Sequence, residues 1–433
     1  MGYKPVHVAV TVAVCAWLFG TRSEWLMGDN VRGKNKEARS VVAAPPIIPV
    51  QPKAYPSADE TLFIAGSYLN DSIVTSALAY VNSVVDPTVL AYKTSKYISF
   101  STVTYNDNPT TTCYWPYASP HCTRTTAGKW GNPDIVYCPS SYQWGLTYDD
   151  APSVNLVGST HVNDTYSIMD QLTKMNLKAT FFVTGSQATY YPTALVAVAN
   201  AGHHVAHHSW THHPFTSLTN VQIVAELMYT QAIVYKLTGL SMRFFRPPYG
   251  DIDDRVRAIV NALGFRIVLW DPTYDSFDSD VTANAAGYQT VITRMTSWFN
   301  TPTPFIALQH TINTFSSGTA VAALKKIQAM GGIQNQLMTV PQCLGDTQWY
   351  KNTQVTTIYN SCTIPGGCDG KPPVSPTVPA SAKASAAASG KASGKASAAA
   401  SAKVSAAAAS PSSTSTGGCG AGVGSCSAAN APW

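Results

Sequence analysis

Five groups of polar residues in this 433-residue chain carry the means for hydrolysis at a metal ion. Asp149-Asp150 sets two carboxylates side by side, and histidines come in three pairs, His203-His204, His207-His208 and His212-His213. Arg246-Pro247-Pro248-Tyr249-Gly250 offers a guanidinium beside a turn, Asp271 to Asp278 is rich in acids, and His310 stands apart. Two histidines four residues apart, with one carboxylate, make a three-ligand set that leaves a position open for water. His208 and His212 with one acid of the Asp149-Asp150 pair satisfy that pattern. His203/His207 and His204/His208 satisfy the spacing equally. The plain alternative is a His-rich surface tract, or core histidines satisfied by hydrogen bonds.

The elements that must position these groups follow from periodicity and punctuation. Strands are expected at Gln143–Tyr148, Ala179–Val183, Val205–Ser209, Arg243–Phe245, Ile267–Trp270, Phe305–Leu308 and Leu337–Val340. Helices are expected at Thr165–Met175, Tyr191–Asn200, Val221–Leu237, Asp253–Leu263, Ala285–Phe299 and Thr319–Met330, with Gly202, Gly239 and Gly264 as stops. Such alternation implies a parallel sheet, open or closed. Each polar group then falls at the C-terminal end of a strand, the edge where α/β sheets and barrels build active sites.

Charge and cysteines bound the surroundings. The formal net charge is +5, but residues 371–433 hold five lysines and no acid, and residues 41–370 carry 17 basic and 20 acidic residues. The central body is mildly acidic, which excludes a basic nucleic-acid-binding face, and no obligate protein partner is indicated. Apart from Cys15, eight cysteines fall in groups (Cys113, Cys122, Cys138; Cys343, Cys362, Cys368; Cys419, Cys426) without CxxC spacing. That suits disulfides in an oxidising compartment, with connectivity unreadable. Residues 1–23 read as a signal peptide around the apolar run Val6–Gly20, and no GPI signal follows the tail, so a secreted or cell-wall protein is expected. Asn70-Asp71-Ser72 and Asn163-Asp164-Thr165 are N-glycosylation sequons. Residues 24–60 read as a linker, 61–140 as a Cys-containing extension of little periodicity, 141–345 as the main domain, 346–370 as a Cys-bearing cap, and 371–433 as a disordered Ser/Ala/Lys tail.

Taken in order, the motifs resemble those of the polysaccharide deacetylases (NodB-homology domain, carbohydrate esterase family 4), in the style of fungal chitin deacetylases. Thr147-Tyr148-Asp149-Asp150-Ala151-Pro152 is similar to the first motif, with Ala151 where the family has Gly. His208-Ser209-Trp210-Thr211-His212 is similar to the second, Arg246–Gly250 to the third, and Leu308-Gln309-His310 to the fifth. In the fourth, Asp275-Ser276-Phe277-Asp278-Ser279 puts Ser279 where an aromatic wall is expected, with Phe277 or Tyr274 as candidate replacements. The resemblance covers about residues 141–350.

It implies a distorted (β/α) barrel and a metal-dependent amidohydrolase that removes N-acetyl groups from chitin, a β-1,4-linked N-acetylglucosamine polymer of the cell wall. It places the ligands at Asp150, His208 and His212, holding zinc, with cobalt as an alternative. It makes Asp149 the general base, paired with Arg246, and His310 the general acid, supported by Asp278 more than Asp275. Pro248, Tyr249 and Leu308 then line the substrate site, while Trp210 reads as core. A catalytically impaired carbohydrate-binding relative, a deacetylase of another N-acetylated glycan, and a His-rich metal-binding wall protein are the competing readings.

Overall fold

The computed structural model describes residues 42–117 and 120–357. The expected signal peptide, the tail, and Cys15, Cys362, Cys368, Cys419 and Cys426 lie outside the described residues. The described chain opens with α1 (Ser72–Val84), α2 (Pro87–Leu90) and a hairpin of β1 (Lys96–Ser99) and β2 (Thr102–Thr104). Then follow β3 (Gln143–Gly145), β4 (Thr147–Ala151), a small hairpin of β5 (Leu156–Val157) and β6 (Thr160–His161), and α3 (Thr165–Lys174). Next come β7 (Thr180–Val183), α4 (Gly185–Tyr190), α5 (Pro192–Asn200), β8 (His204–His207), α6 (Asn220–Thr238), β9 (Phe244–Phe245), α7 (Asp254–Ala262) and β10 (Arg266–Ile267). The chain continues with α8 (Ala285–Ser297), β11 (Phe305–Ile306), α9 (Thr314–Ala329), β12 (Gln336–Met338) and α10 (Val340–Cys343).

Strands β10-β9-β8-β7-β4 form one parallel sheet, and β11 and β12 flank β3 in a second, also parallel. The expected strand Gln143–Tyr148 is two strands joined at Leu146. Its N–H donates to the carbonyl of Met338 at the end of β12, while its own carbonyl accepts from Thr180 of β7, so the chain changes partners there. Bridges Asp149↔His310 and Asp275↔Leu308 continue the ladder past the short strands and close a distorted barrel. Helices cover the outside, as a sheet with two apolar faces requires; Phe181, Phe182 and Val183 of β7 are all buried.

Local signals explain most helix ends. Thr219 and Gln222 form a capping box at the start of α6, and Gly239, at φ 73°, ends it in the left-handed conformation. Asp164 and Asp253 cap α3 and α7 through their carboxylates. The sequence reading missed α4, whose six residues are too short to show a period and begin at the capping Thr184.

Low periodicity in residues 61–140 was also an incomplete reading. In α1, Ile73, Val74, Ala77 and Val81 form a buried stripe, and Tyr229 of α6 donates to the Tyr68 carbonyl just before it. Arg257, fully buried, donates to the Cys113 carbonyl and pairs with Asp134, while Arg124 pairs with Asp254. These contacts tie the extension to α7. Upstream, Tyr55 stacks on Trp210, and Trp210 donates its indole N–H to the Ser57 carbonyl. Disulfides join Cys113 to Cys122 and Cys138 to Cys343.

Candidate functional site

Asp149 and Asp150 reach one site through a bulge, whereas sequence reasoning required the strand to end there. Strand β4 runs on to Ala151, but its register on β7 steps from Tyr148↔Phe181 to Ala151↔Val183. Two residues thus oppose the single Phe182, and Asp150 takes a left-handed φ of 61°. The inserted residue cancels the strand alternation that would send the neighbouring carboxylates to opposite faces. Ser209 (φ 77°), His212 (φ 56°) and Tyr249 (φ 59°) are also left-handed. Such conformations cost roughly 1–3 kcal/mol each in a non-glycine residue and cluster where geometry serves function.

The histidine ambiguity resolves by position. His203, His204 and His207 are buried on or beside β8, and burial pushes each down to about 3, so they are neutral core residues. His207 Nε2 meets the Leu227 carbonyl. His213 shares a hydrogen bond with the Thr211 hydroxyl. Of these six histidines, only His208 and His212 converge with a carboxylate. Their Nε2 atoms are 3.2 Å apart, and Asp150 Oδ1 lies 3.0 Å from His212 Nε2 and 3.6 Å from His208 Nε2. His208 donates from Nδ1 to the Arg246 carbonyl at 2.8 Å, and His212 Nδ1 meets the Tyr249 hydroxyl at 3.1 Å. The carbonyl fixes the His208 Nδ1 proton, so its Nε2 presents a lone pair, and the Nε2 atoms of both rings face the same carboxylate oxygen. Among the described residues this is the one group of three such donors that could hold a metal, with all ligand atoms within 4.8 Å of one another. Three acceptors so close repel unless a cation sits between them, and two imidazoles with one carboxylate suit a divalent ion.

Arg246 is fully buried beneath this cluster. Its Nη1 donates to Asp149 Oδ1 at 2.7 Å and to the Thr147 hydroxyl at 2.9 Å, and Nη2 donates to the Leu269 carbonyl. The guanidinium also lies 4.2 Å from the Phe182 ring centroid. Burial pushes the Asp149 carboxyl up to about 6 against the downward pull of Arg246. Its second oxygen, Oδ2, lies 3.6 Å from His208 Nε2, facing the ligand cluster.

His310 arrives from the segment after β11, paired through its backbone with Asp149. Asp278 holds it twice, at Nδ1 (2.6 Å) and at the backbone N–H (2.9 Å). Burial alone would lower its basicity, but Asp278 first, and then Asp150 and Asp149, together outweigh this and hold the imidazole up at about 10. Asp275 is not on the ring. It is buried, accepts from the Phe277 N–H, and is pushed up to about 7 by burial. Tyr274 stacks on Phe305 in the core at 3.7 Å, which removes it as the missing pocket ring. Phe277, half-buried at φ 55°, lies under the Arg294 guanidinium. Leu308 packs in the core while its backbone N–H and carbonyl engage Tyr274 and Ser276. Pro248 is buried, and Gly250 allows Trp115 and Trp270 to approach, since a Cβ there would lie 2.3 Å from Trp115.

Sequence reasoning missed Glu226. From inside α6 it accepts from the backbone N–H groups of Trp210 and Thr211 and from the Thr211 hydroxyl, so it holds the strained loop that carries His212. The available signal was a lone acid in the apolar run Val221–Leu237. The Tyr249 hydroxyl, which orients His212, was missed as well.

Residues 137–268 match the family model described as polysaccharide deacetylase. The chain is 35% identical over 274 residues to a chitin deacetylase of Amylomyces rouxii, covering 61% of this chain and 62% of that protein. It is 36% identical over 246 residues to chitin deacetylase 1 of Cryptococcus neoformans var. grubii, covering 54% and 48% respectively. The chain thus spans about half to three-fifths of these relatives' length. A solved chitin deacetylase from Colletotrichum lindemuthianum is 21% identical with a TM-score of 0.43, over 52% of this chain and 97% of that one. A peptidoglycan deacetylase from Bacillus subtilis is 31% identical with a TM-score of 0.39, over 47% and 90%. With the paired aspartates, the convergent histidines and the family match all in one barrel, the chain carries a polysaccharide deacetylase domain of the NodB-homology type.

Proposed function

We propose that the protein is a divalent-metal-dependent N-deacetylase of chitin, a hydrolase that releases acetate and leaves glucosamine units. The observation that carries this reading is the separation of two adjacent carboxylates into two environments. Asp150 faces two imidazoles, and Asp149 faces a buried guanidinium. A metal store needs the first and has no use for the second, nor for the held imidazole of His310.

Asp150, His208 and His212 hold the ion, with zinc favoured by the nitrogen and oxygen donor set. When bound, the ion supplies Lewis-acid polarisation of the acetyl carbonyl and acidifies water. Asp149 takes the attacking water's proton at Oδ2, since Oδ1 is occupied by Arg246. Its pKa of about 6 leaves it ionised yet basic at neutral pH. The Tyr249 N–H donates to the developing oxyanion. His310, kept as imidazolium by Asp278, gives a proton from Nε2 to the departing amine as the C–N bond breaks. Pro248 and the Tyr249 ring line the substrate site. The similarity to fungal chitin deacetylases supports chitin as the substrate, and the two disulfides support an extracellular or cell-wall location.

Acetate release from N-acetylglucosamine oligomers, measured beside peptidoglycan fragments, tests the reading. Release from the oligomers that stops with a chelator and returns with zinc is expected. No release, or release from peptidoglycan alone, would refute it.

A further inference from the structure

Chain upstream of the barrel reaches the rim of the metal-ligand loop. Glu60 accepts from the hydroxyls of Ser186 and Thr184, at the C-terminal end of β7. The same end of the barrel carries Ser209 and Trp210, since the Gly185 N–H donates to the Ser209 carbonyl. Nearby, Phe63 lies on the His213 ring at 3.9 Å between centroids, and Tyr97 of β1 meets that ring edge-on at 5.2 Å. His213 follows the candidate ligand His212 directly. Glu60 also acts electrostatically on both His212 and Tyr249, and Tyr97 acts on Tyr249. The end of the 24–60 segment and two parts of the extension therefore meet on one side of the cluster.

Glu60 differs from the site's other acids in what it lacks. Asp149 has Arg246, Asp150 has two imidazoles, and Asp278 has His310. Among the described residues Glu60 has only hydroxyl partners, through one oxygen, and no ion pair. It is partly exposed, and its second oxygen takes no hydrogen bond among the described residues. Half-buried Phe63 and Tyr97 supply apolar ring surface around His213 on the same side of the cluster, and sugar rings carry apolar C–H faces that pack on such rings.

We propose that Glu60, with Phe63 and Tyr97, forms a subsite for a cationic amino sugar, so that the extension favours polymer already carrying glucosamine units next to the acetylated unit in the site. This rests on the deacetylase reading, because that reaction makes the amine which the carboxylate would recognise. An ammonium against a partly exposed carboxylate gains a modest, salt-screened attraction.

The probe is a fully deacetylated glucosamine tetramer, which binds without being consumed. Its affinity for the full-length, metal-loaded protein and for Glu60→Gln is measured by calorimetry at low and high salt. Glu60→Gln is expected to bind about fivefold more weakly at low salt and to lose most of the salt dependence. Tyr97→Ala is expected to weaken binding while keeping the salt dependence, which separates the stacking from the ionic contact. Equal affinity of wild type and Glu60→Gln, or wild-type binding indifferent to salt, would overturn the proposal. Acetate release by the same wild-type preparation from an acetylated tetramer tests the deacetylase reading separately, so the two ideas fail by different measurements.

Discussion

Replacing Asp278 with Asn should move the alkaline limit of activity without abolishing activity at acid pH. Asp278 is the strongest influence raising His310, which stands at about 10 against an ordinary 6.5. That difference corresponds to roughly 5 kcal/mol favouring imidazolium at about 1.4 kcal/mol per unit. Asp149 and Asp150 contribute part of it, and a bound cation offsets their share. Asp278 is left as the main group holding the imidazole up. A general acid must be protonated, so the wild-type rate should hold as pH rises and fall only near the folded-state value. In Asp278→Asn burial is no longer opposed by Asp278, so the imidazole falls to or below its ordinary 6.5 and its protonated fraction at pH 8 is at most roughly 3%. The expected loss is at least about thirtyfold at pH 8 and several-fold smaller at pH 6. The assay is kcat/KM for acetate release from a soluble oligomer between pH 5 and pH 10, with metal content checked at each end. An alkaline limb that stays in place, or a loss equal at every pH, would refute the reasoning and leave Asp278 a merely structural residue.

Further outcomes follow from the same geometry. Arg246→Met should destabilise the fold by about 3–5 kcal/mol, because it strands a buried carboxylate, and the acid limb of the rate should move to higher pH as Asp149 becomes harder to ionise; urea titration and a pH–rate profile check both. Glu226→Gln should lower metal affinity about tenfold although Glu226 is no ligand, because the amide keeps one of the two acceptor oxygens that three donors of the His212 loop share and loses the charge; a competitive chelator titration reads this. Breaking Cys138–Cys343, which closes 205 residues, should destabilise about twice as much as breaking Cys113–Cys122, which closes 9. Neither break should release metal before unfolding, as metal analysis after mild reduction would show.

Strand–helix alternation made the barrel's central part legible, because most buried strands are short apolar runs and every helix start but that of α5 carries a side-chain cap. The gathering of polar groups at the strand ends followed from the same pattern. Geometry smaller than a residue's type did not show. Nothing in Thr147–Pro152 announces the bulge at Asp150, and the reading instead ended the strand there. The choice among six histidines rested on a motif resemblance, since i, i+4 spacing cannot tell a core-facing ring on β8 from one on the loop beyond it. Tyr274 and Phe277 differ by three positions and share aromatic character, yet only packing against Phe305 reveals that Tyr274 belongs to the core. Glu226 and the contacts of residues 47–60 escaped because they act over separations of 15 residues or more, up to 194 between Ile47 and Ser241.

The division of labour between the two adjacent aspartates is the central claim, and paired measurement of bound metal and acetate-release rate in Asp149→Asn and Asp150→Asn tests it most directly. Asp149→Asn should keep its metal and lose roughly 10²–10⁴-fold in rate, the range for a missing general base. Asp150→Asn should lose metal, as His208→Ala and His212→Ala should, and recover part of its rate when metal is added in excess. A variant Asp149→Asn stripped of metal beside an Asp150→Asn that retains it would contradict the account, and would exchange base and ligand.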